Sequence, residues 1–259
     1  MRRMTLLMVL SLMTASFAGA QFIAPGASIP VVANLPGLNN TDWRTDVSVV
    51  NLGTTDSPVV LLLQPEIRNG APAFDPVITD PVIVEAGTQH TMRNIVETVF
   101  GFTNTKGALS VFSTDGAPLV VSARIYTIGD DGGSYGQNVE GLLVANEAWT
   151  AGIAHDDFYR TNIGIYLPFD PTPGTTVRFR IRVYDKDGVE VGVGSINFNS
   201  AGMQQFSLTA FGVERLLDGF VEFDALDPTI SFFAYASRVD QVSGDAVFRQ
   251  AKGRQSDLP

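Results

Sequence analysis

The sequence predicts an all-β fold: two tandem antiparallel β-sandwich (Ig-like) modules behind a leader segment. Three observations carry this. Strand-like apolar alternation recurs about every ten residues. Gly (25) and Pro (14) are scattered singly between those runs, as many short strands need many turns. No long helical period and no strand–helix–strand rhythm interrupts them. Composition agrees: 45% hydrophobic residues, 17% charged and seventeen Phe against two Trp supply a core and favour strands.

The first twenty residues stand apart. Met1-Arg2-Arg3-Met4 is a positive start, and Thr5 to Phe17 is a mostly apolar run. Ala18-Gly19-Ala20 then supplies the small residues that signal peptidase accepts, leaving Gln21 as the new N-terminus. The run is too short and too rich in Ser and Thr for a permanent anchor, and no later segment reaches the ~18 apolar residues of a span. Export is therefore expected, to the periplasm, the cell surface or the medium. The expected division is a signal peptide at 1–20, sandwich modules at 21–145 and 146–250, and a flexible tail at 251–259.

In the first module, strands are expected near 28–35, 43–52, 57–64, 76–85, 88–93, 107–113, 117–127 and 135–144. In the second they fall near 147–152, 160–168, 175–184, 189–199, 202–207, 219–225, 230–240 and 245–250. Helical turns are expected at 94–100 and 209–217, each after a strand bearing an Ala-Gly-x-Gln motif. The stretch 57–64 is apolar throughout at Val59 to Leu63 and reads as covered on both faces.

The modules share anchors in order. Trp43-Arg44-Thr45-Asp46-Val47 matches Tyr159-Arg160-Thr161-Asn162-Ile163, and Ala86-Gly87-Thr88-Gln89 matches Ala201-Gly202-Met203-Gln204. Phe100-Gly101 matches Phe211-Gly212, Gly107 matches Gly219, and Ser122-Ala123-Arg124 matches Ala236-Ser237-Arg238. The wandering offset is what loop insertions produce. Two repeated pairs, Arg44 with Arg160 and Arg124 with Arg238, read as structural arginines that satisfy carbonyls or an acid such as Asp46.

One hairpin can be read closely. Val177, Phe179, Ile181 and Val183 alternate with Arg178, Arg180, Arg182 and Tyr184, so one face is core and the other polar. Asp185-Lys186-Asp187-Gly188 reads as a type I turn with Gly188 left-handed. The return strand is expected to send Val189, Val191 and Val193 inward, with a bulge at Gly194-Ser195, placing Gly192 opposite Arg182 and Gly194 opposite Arg180.

Composition narrows the chemistry. There is no cysteine, which excludes disulfides, thiolate metal sites and a cysteine nucleophile. Core burial alone must then hold each module, which about 110 residues allow. A formal charge of −10 makes nucleic acid and anionic membranes poor partners. Gly132-Gly133-Ser134-Tyr135-Gly136 has a nucleophile-elbow spacing, but a strand pattern follows the serine where that elbow needs a helix. His90 and His155 are too isolated for zinc. His155-Asp156-Asp157 and Asp185-x-Asp187 offer oxygens that suit calcium without full loop spacing, so no cofactor is expected beyond that calcium option. Asp130-Asp131, adjacent in a loop, do not face one another as a glycosidase pair must.

The most pointed surface feature is the stripe Arg178, Arg180, Arg182 with Tyr184, which has no counterpart in the first module. It reads either as a site for a carboxylate- or sulfate-bearing glycan or an acidic protein, or as a solvated face paired locally to Glu190. The string Trp43-Arg44-Thr45-Asp46-Val47-Ser48-Val49-Val50-Asn51, the Ala-Gly motif, Phe-Gly, Gly-Ala-Leu, and Ser122-Ala123-Arg124-Ile125-Tyr126 ending in Tyr135-Gly136-Gln137 resembles a tandem repeat of secreted and surface proteins of environmental bacteria. That resemblance implies an accessory or surface β-sandwich and brings no catalytic residues. The second copy has Tyr-Arg-Thr-Asn for Trp-Arg-Thr-Asp and lacks the Tyr-Gly-Gln ending. The expected function is an exported, non-enzymatic module for adhesion, envelope structure or glycan or protein binding. Its alternative is a secreted hydrolase with a site between the modules.

Overall fold

Alternating side chains and single turn residues produce strands almost everywhere the sequence asks for them. The computed structural model describes residues 24–37, 41–129, 132–141 and 143–253. The leader at 1–20 and Asp130-Asp131 lie outside them. Strands of the N-terminal half are β1 (Gly26–Pro36), β2 (Asp42–Asn51), β3 (Ser57–Pro65), β4 (Ile67–Arg68), β5 (Ala71–Pro72), β6 (Val77–Ile78), β7 (Val82–Val84) and β8 (Gln89–Met92). A helical turn α1 (Ile95–Thr98) precedes β9 (Thr105–Ser113), β10 (Leu119–Ile128) and β11 (Ser134–Val139). The C-terminal half has β12 (Leu143–Ala145), β13 (Glu147–His155), β14 (Tyr159–Leu167), β15 (Val177–Asp185), β16 (Glu190–Phe198) and β17 (Gly202–Ser207). A 3-10 turn (Leu208–Phe211) leads to β18 (Leu216–Ala225), β19 (Ser231–Asp240), β20 (Ala246–Gln250) and β21 (Lys252–Gly253).

One pairing scheme occurs twice, and among the described residues every strand pair is antiparallel, with one isolated parallel bridge between Glu66 and Met203. In the N-terminal half β9 lies between β1 and β3, while β2 pairs with β10 and β8, and β10 with β11. In the C-terminal half β18 lies between β13 and β15, while β14 pairs with β19 and β17, and β19 with β20. Within each half the two sheets face one another. Val47, Val49 and Ile125 meet Val59, Leu61, Leu63, Leu109 and Val111 in one core. Ile163, Ile165, Phe232 and Ala234 meet Phe179, Ile181, Val183, Val221 and Phe223 in the other. This is the β-sandwich arrangement that alternation predicts.

The repeated anchors have physical roles. Thr45 Oγ1 accepts from Ala33 N (2.8 Å) and donates to Ala33 O (3.0 Å), closing the corner where the chain leaves one sheet for the other. Thr161 Oγ1 does the same at Ala154, at 3.3 and 2.6 Å. Gly107 and Gly219 lie so close to the carbonyl oxygens of Gln64 and Tyr184 that a Cβ would collide with them. Gly101 and Gly212 take left-handed φ of 74° and 80° just after the helical turns.

The middle sheets are apolar on both faces. Successive residues of β3, β9 and β14 are almost all buried, as expected for 57–64. Phe232, Ala234 and Ala236 of β19 enter the C-terminal core, whereas Phe233 and Tyr235, with Tyr166 and Met203, join the N-terminal cluster. Tyr166 stacks on Phe233 (5.3 Å between centroids) and shares a 3.2 Å hydrogen bond with Ser110 of β9. Gln64 Nε2 donates to Pro168 O (3.1 Å), and the Gln137 amide and the Ser237 hydroxyl bond reciprocally at 3.0 and 3.2 Å. The halves thus stack through β1–β9–β3 and β14–β19–β17.

Several local expectations change. The strand at 76–85 breaks into β6 and β7 around Asp80-Pro81, where Thr79 uses its hydroxyl and N–H on Leu61 and proline has no N–H to give. The strand at 135–144 splits: Gly141, too close to Ser28 O for a Cβ, lets the chain cross so that β12 pairs with β19 of the C-terminal half. Of the expected tail at 251–259, residues 251–253 belong to the fold, because Ala251 is buried and β21 pairs with Ala148 and Trp149, and 254–259 lie outside the described residues.

The hairpin needs the largest correction. Gly188 is left-handed (φ 81°) and Asp185 N donates to Val189 O, as expected. The register slips at once, however: Tyr184 pairs with Glu190 but Val183 with Gly192. The bulge is therefore at Val191, and no second shift occurs at Gly194-Ser195. Gly192 and Gly194 sit opposite Val183 and Ile181, not opposite the arginines. They face inward because Phe211 and Val213 fill the space a Cβ would need. Val189, Val191 and Val193 consequently point outward, 58%, 37% and 54% exposed.

Candidate functional site

Register builds the site before any side chain is considered. On the outer face of the last sheet one rung runs Val193, Arg182, Glu222, Trp149, Lys252, and the next runs Ser195, Arg180, Asp224, Glu147. A third runs Glu190, Tyr184, Phe220, Ala151. Sequence alternation places each of these side chains on the same face as Arg178.

Arg180 and Arg182 are paired, and not with Glu190. Arg180 grips Asp224 through Nε (3.0 Å) and a terminal nitrogen. Arg182 takes both oxygens of Glu222 at 2.8 and 3.0 Å, and Tyr184 Oη donates to the same carboxylate at 2.8 Å. Both acids are buried beneath the arginines, at 8% and 9% exposure. The Arg182 guanidinium is held above its ordinary pKa, first through its contact with Tyr184 and then through Glu222, while desolvation raises the Tyr184 hydroxyl. Tyr184 also stacks on Phe220 with centroids 4.8 Å apart. The acids were legible: Val221-Glu222-Phe223-Asp224 alternates, so its acids share the outward face of the strand that must neighbour β15.

Arg178 is exposed and carries no ion pair among the described residues. Its backbone carbonyl holds Leu226 N at 3.0 Å. Beside it opens a shallow cleft of about 460 Å³, lined by Asn146, Glu147, Arg180, Asp224, Ala225, Leu226 and Pro228. Asn146 is left-handed (φ 62°), and its Oδ1 is closed off from solvent without a hydrogen-bond partner among the described residues.

The other candidates scatter. Arg44 pairs with Asp42 rather than Asp46 in an exposed bridge, and half-buried Arg160 is lowered in pKa by burial. Asp46 instead accepts Asn94 N (2.9 Å) and Tyr126 Oη (3.2 Å). Arg124 and Arg238 do satisfy carbonyls, of Ser134 (3.2 Å) and Gly152 (3.4 Å), but they are not equivalent positions. Ala123 pairs with Val47 and Ala236 with Ile163, so Arg238 corresponds to Ile125, one residue on and on the opposite face. Ser134 Oγ accepts from Arg124 (2.9 Å) at the start of a strand. The aspartates weighed for calcium cap turns: Asp156 Oδ1 takes Phe158 N and Tyr159 N, and Asp185 Oδ1 takes Asp187 N and Val189 N. His90 is exposed on β8, and His155 Nδ1 accepts from Thr161 N at 3.4 Å.

No family model matches the chain, and no curated protein matches it. Among solved structures, the recombinant pro-11S globulin of pumpkin is 9% identical over 86% of this chain and 76% of its own, with a TM-score of 0.22. A likeness that distant carries no argument about this chain.

Proposed function

We propose that this chain is an exported, non-enzymatic protein made of two copies of one β-sandwich, which binds a glycan or a protein at a cell surface through the outer face of β13, β18 and β15. One observation carries the reading. The row of positions that β3 buries against the other half is, on β15, turned outward and rebuilt from ion pairs flanked by Tyr184, Phe220 and Trp149. Aromatic faces beside fixed charged groups are what recognition surfaces use, and a flat sheet holds them rigidly. The leader pattern and the lack of cysteine support export with stability drawn from core burial.

A glycan and protein array probed with the mature chain tests this. Binding should fall at least about tenfold in Trp149→Ala and Tyr184→Ala, with unchanged circular dichroism. Retained binding in both variants would move the site elsewhere. Turnover of ester or glycoside substrates, lost in Ser134→Ala, would replace the reading with a hydrolase.

A further inference from the structure

Resting on that reading, we infer that the cleft between Glu147, Arg180 and Leu226 takes an uncharged, hydroxyl-rich sugar ring, and that the face is not a site for sulfated or acidic glycans. The charge arithmetic decides this. Arg180 is answered by Asp224 and Arg182 by Glu222, and the other charges that register places on this face, Arg178 and Lys252 against Glu147 and Glu190, balance in sign as well. A site for anions needs donors that are not already saturated by carboxylates. Among the described residues of this face only Arg178 and Lys252 meet that condition, and they stand on a chain of formal charge −10, whose field repels anions at long range.

A sugar hydroxyl both donates and accepts, which suits this lining. The Arg180 fork and the remaining lone pairs of Asp224 and Glu147 present both roles in fixed positions. Asn146 Oδ1, buried without a donor among the described residues, adds an acceptor whose hydrogen bond goes unmade until something supplies a hydrogen. Ala225, Leu226 and Pro228 form an apolar wall for the C–H face of a ring. Glu147 and Trp149 are two residues apart on one strand, about 7 Å. A chain of sugars leaving the cleft would therefore pass over Trp149. The cleft's 460 Å³ lies in the range of small-ligand sites, and its open shape suits one ring of a longer polymer.

Calorimetry with the mature chain tests the inference, using neutral cello-, xylo- and manno-oligosaccharides against sulfated and uronic-acid oligosaccharides at low and high salt. The expected result is binding of a neutral oligosaccharide that changes little with salt. It should fall at least about tenfold in Leu226→Trp, which fills the cleft from an exposed position, and in Trp149→Ala. Salt-sensitive binding of the acidic set, lost in Arg178→Ala, would overturn the neutral-sugar assignment while sparing the surface reading. Neutral binding that survives Leu226→Trp would overturn the cleft. If no saccharide binds at millimolar concentration, the inference fails. A protein ligand lost in Trp149→Ala would then show that the surface reading had not failed with it.

Discussion

Strands β3 and β15 hold the same place in two copies of one pairing scheme, and their difference shows where this molecule can interact. Pro65 pairs with Gly107 as Asp185 pairs with Gly219, which aligns Val60, Leu62 and Gln64 with Arg180, Arg182 and Tyr184. Their partners change in step: Phe112 becomes Asp224, Ser110 becomes Glu222, and Ala108 becomes Phe220. On the next strand Ser28 becomes Trp149. The inward row barely changes, since Leu61 and Leu63 correspond to Ile181 and Val183. A sandwich fixes the chemistry of one face of each sheet and leaves the other free. In the N-terminal half the neighbouring sheet uses that freedom. In the C-terminal half solvent or a ligand must.

The comparison breaks most severely if a residue is moved across it. Leu62→Arg installs the outer residue where the inner one belongs, at a position 2% exposed whose near polar groups are the hydroxyls of Ser110 and Tyr166. With no carboxylate there, we expect a loss of more than about 4 kcal/mol in urea unfolding, or failure to fold. Arg182→Leu makes the reverse change on the half-open face, where Glu222 keeps Tyr184 as a donor. That loss should be about 1 kcal/mol. Equal losses would mean that β3 is not covered by the other half.

Much of this was legible in sequence because alternation and turn chemistry are local. The Gly188 turn, the helical turn after β8 and the buried β3 follow from residues a few places apart, whereas the turn expected at 209–217 ends at Phe211 because Leu216 and Leu217 already belong to β18. What covers a face is not local. Val189, Val191 and Val193 look like core, yet Phe211 and Val213 already fill the space behind Gly192 and Gly194, so the glycines go inward and the valines out. The arginine stripe was visible on its own strand, but its partners lie 40 and 44 residues away, where only register brings them together. Matching Arg124 to Arg238 failed for a similar reason: a one-residue offset is invisible in a short motif and reverses the face.

Where the halves agree, equal effects are expected. Thr45 and Thr161 each give both hydrogen bonds of one alanine's backbone a partner, and both are fully buried. Thr45→Val and Thr161→Val keep the shape and strand preference while removing the hydroxyl. Each should cost about 1–3 kcal/mol by chemical denaturation, the two agreeing within about 1 kcal/mol. A large cost in one half alone would make the corner a local accident rather than the shared device that the Arg-Thr motif encodes.

The smallest expected effect lies one residue after the corner alanines, where the halves differ in a titratable group. Ala33 is followed by Asn34 and Ala154 by His155. Asn34 is permanently neutral and donates to Phe102 O at 3.1 Å. His155 accepts the Thr161 N–H at Nδ1, and burial lowers its pKa against the opposing pull of Glu214 and Asp156. The fold therefore prefers neutral imidazole. The sign follows: the unfolded chain binds the proton more readily, so this contribution is fully present above the ordinary histidine value near 6.5 and is lost as pH falls through the lower folded value. His155→Asn would give the second corner the first corner's residue. Thermal midpoints compared at pH 7.5 and 5.0 should show the wild type losing more on acidification than the variant, because the carboxylates common to both cancel in the difference. If the variant loses as much, the ring is solvated well enough to titrate freely, and the two corners are alike in electrostatics as well as in shape.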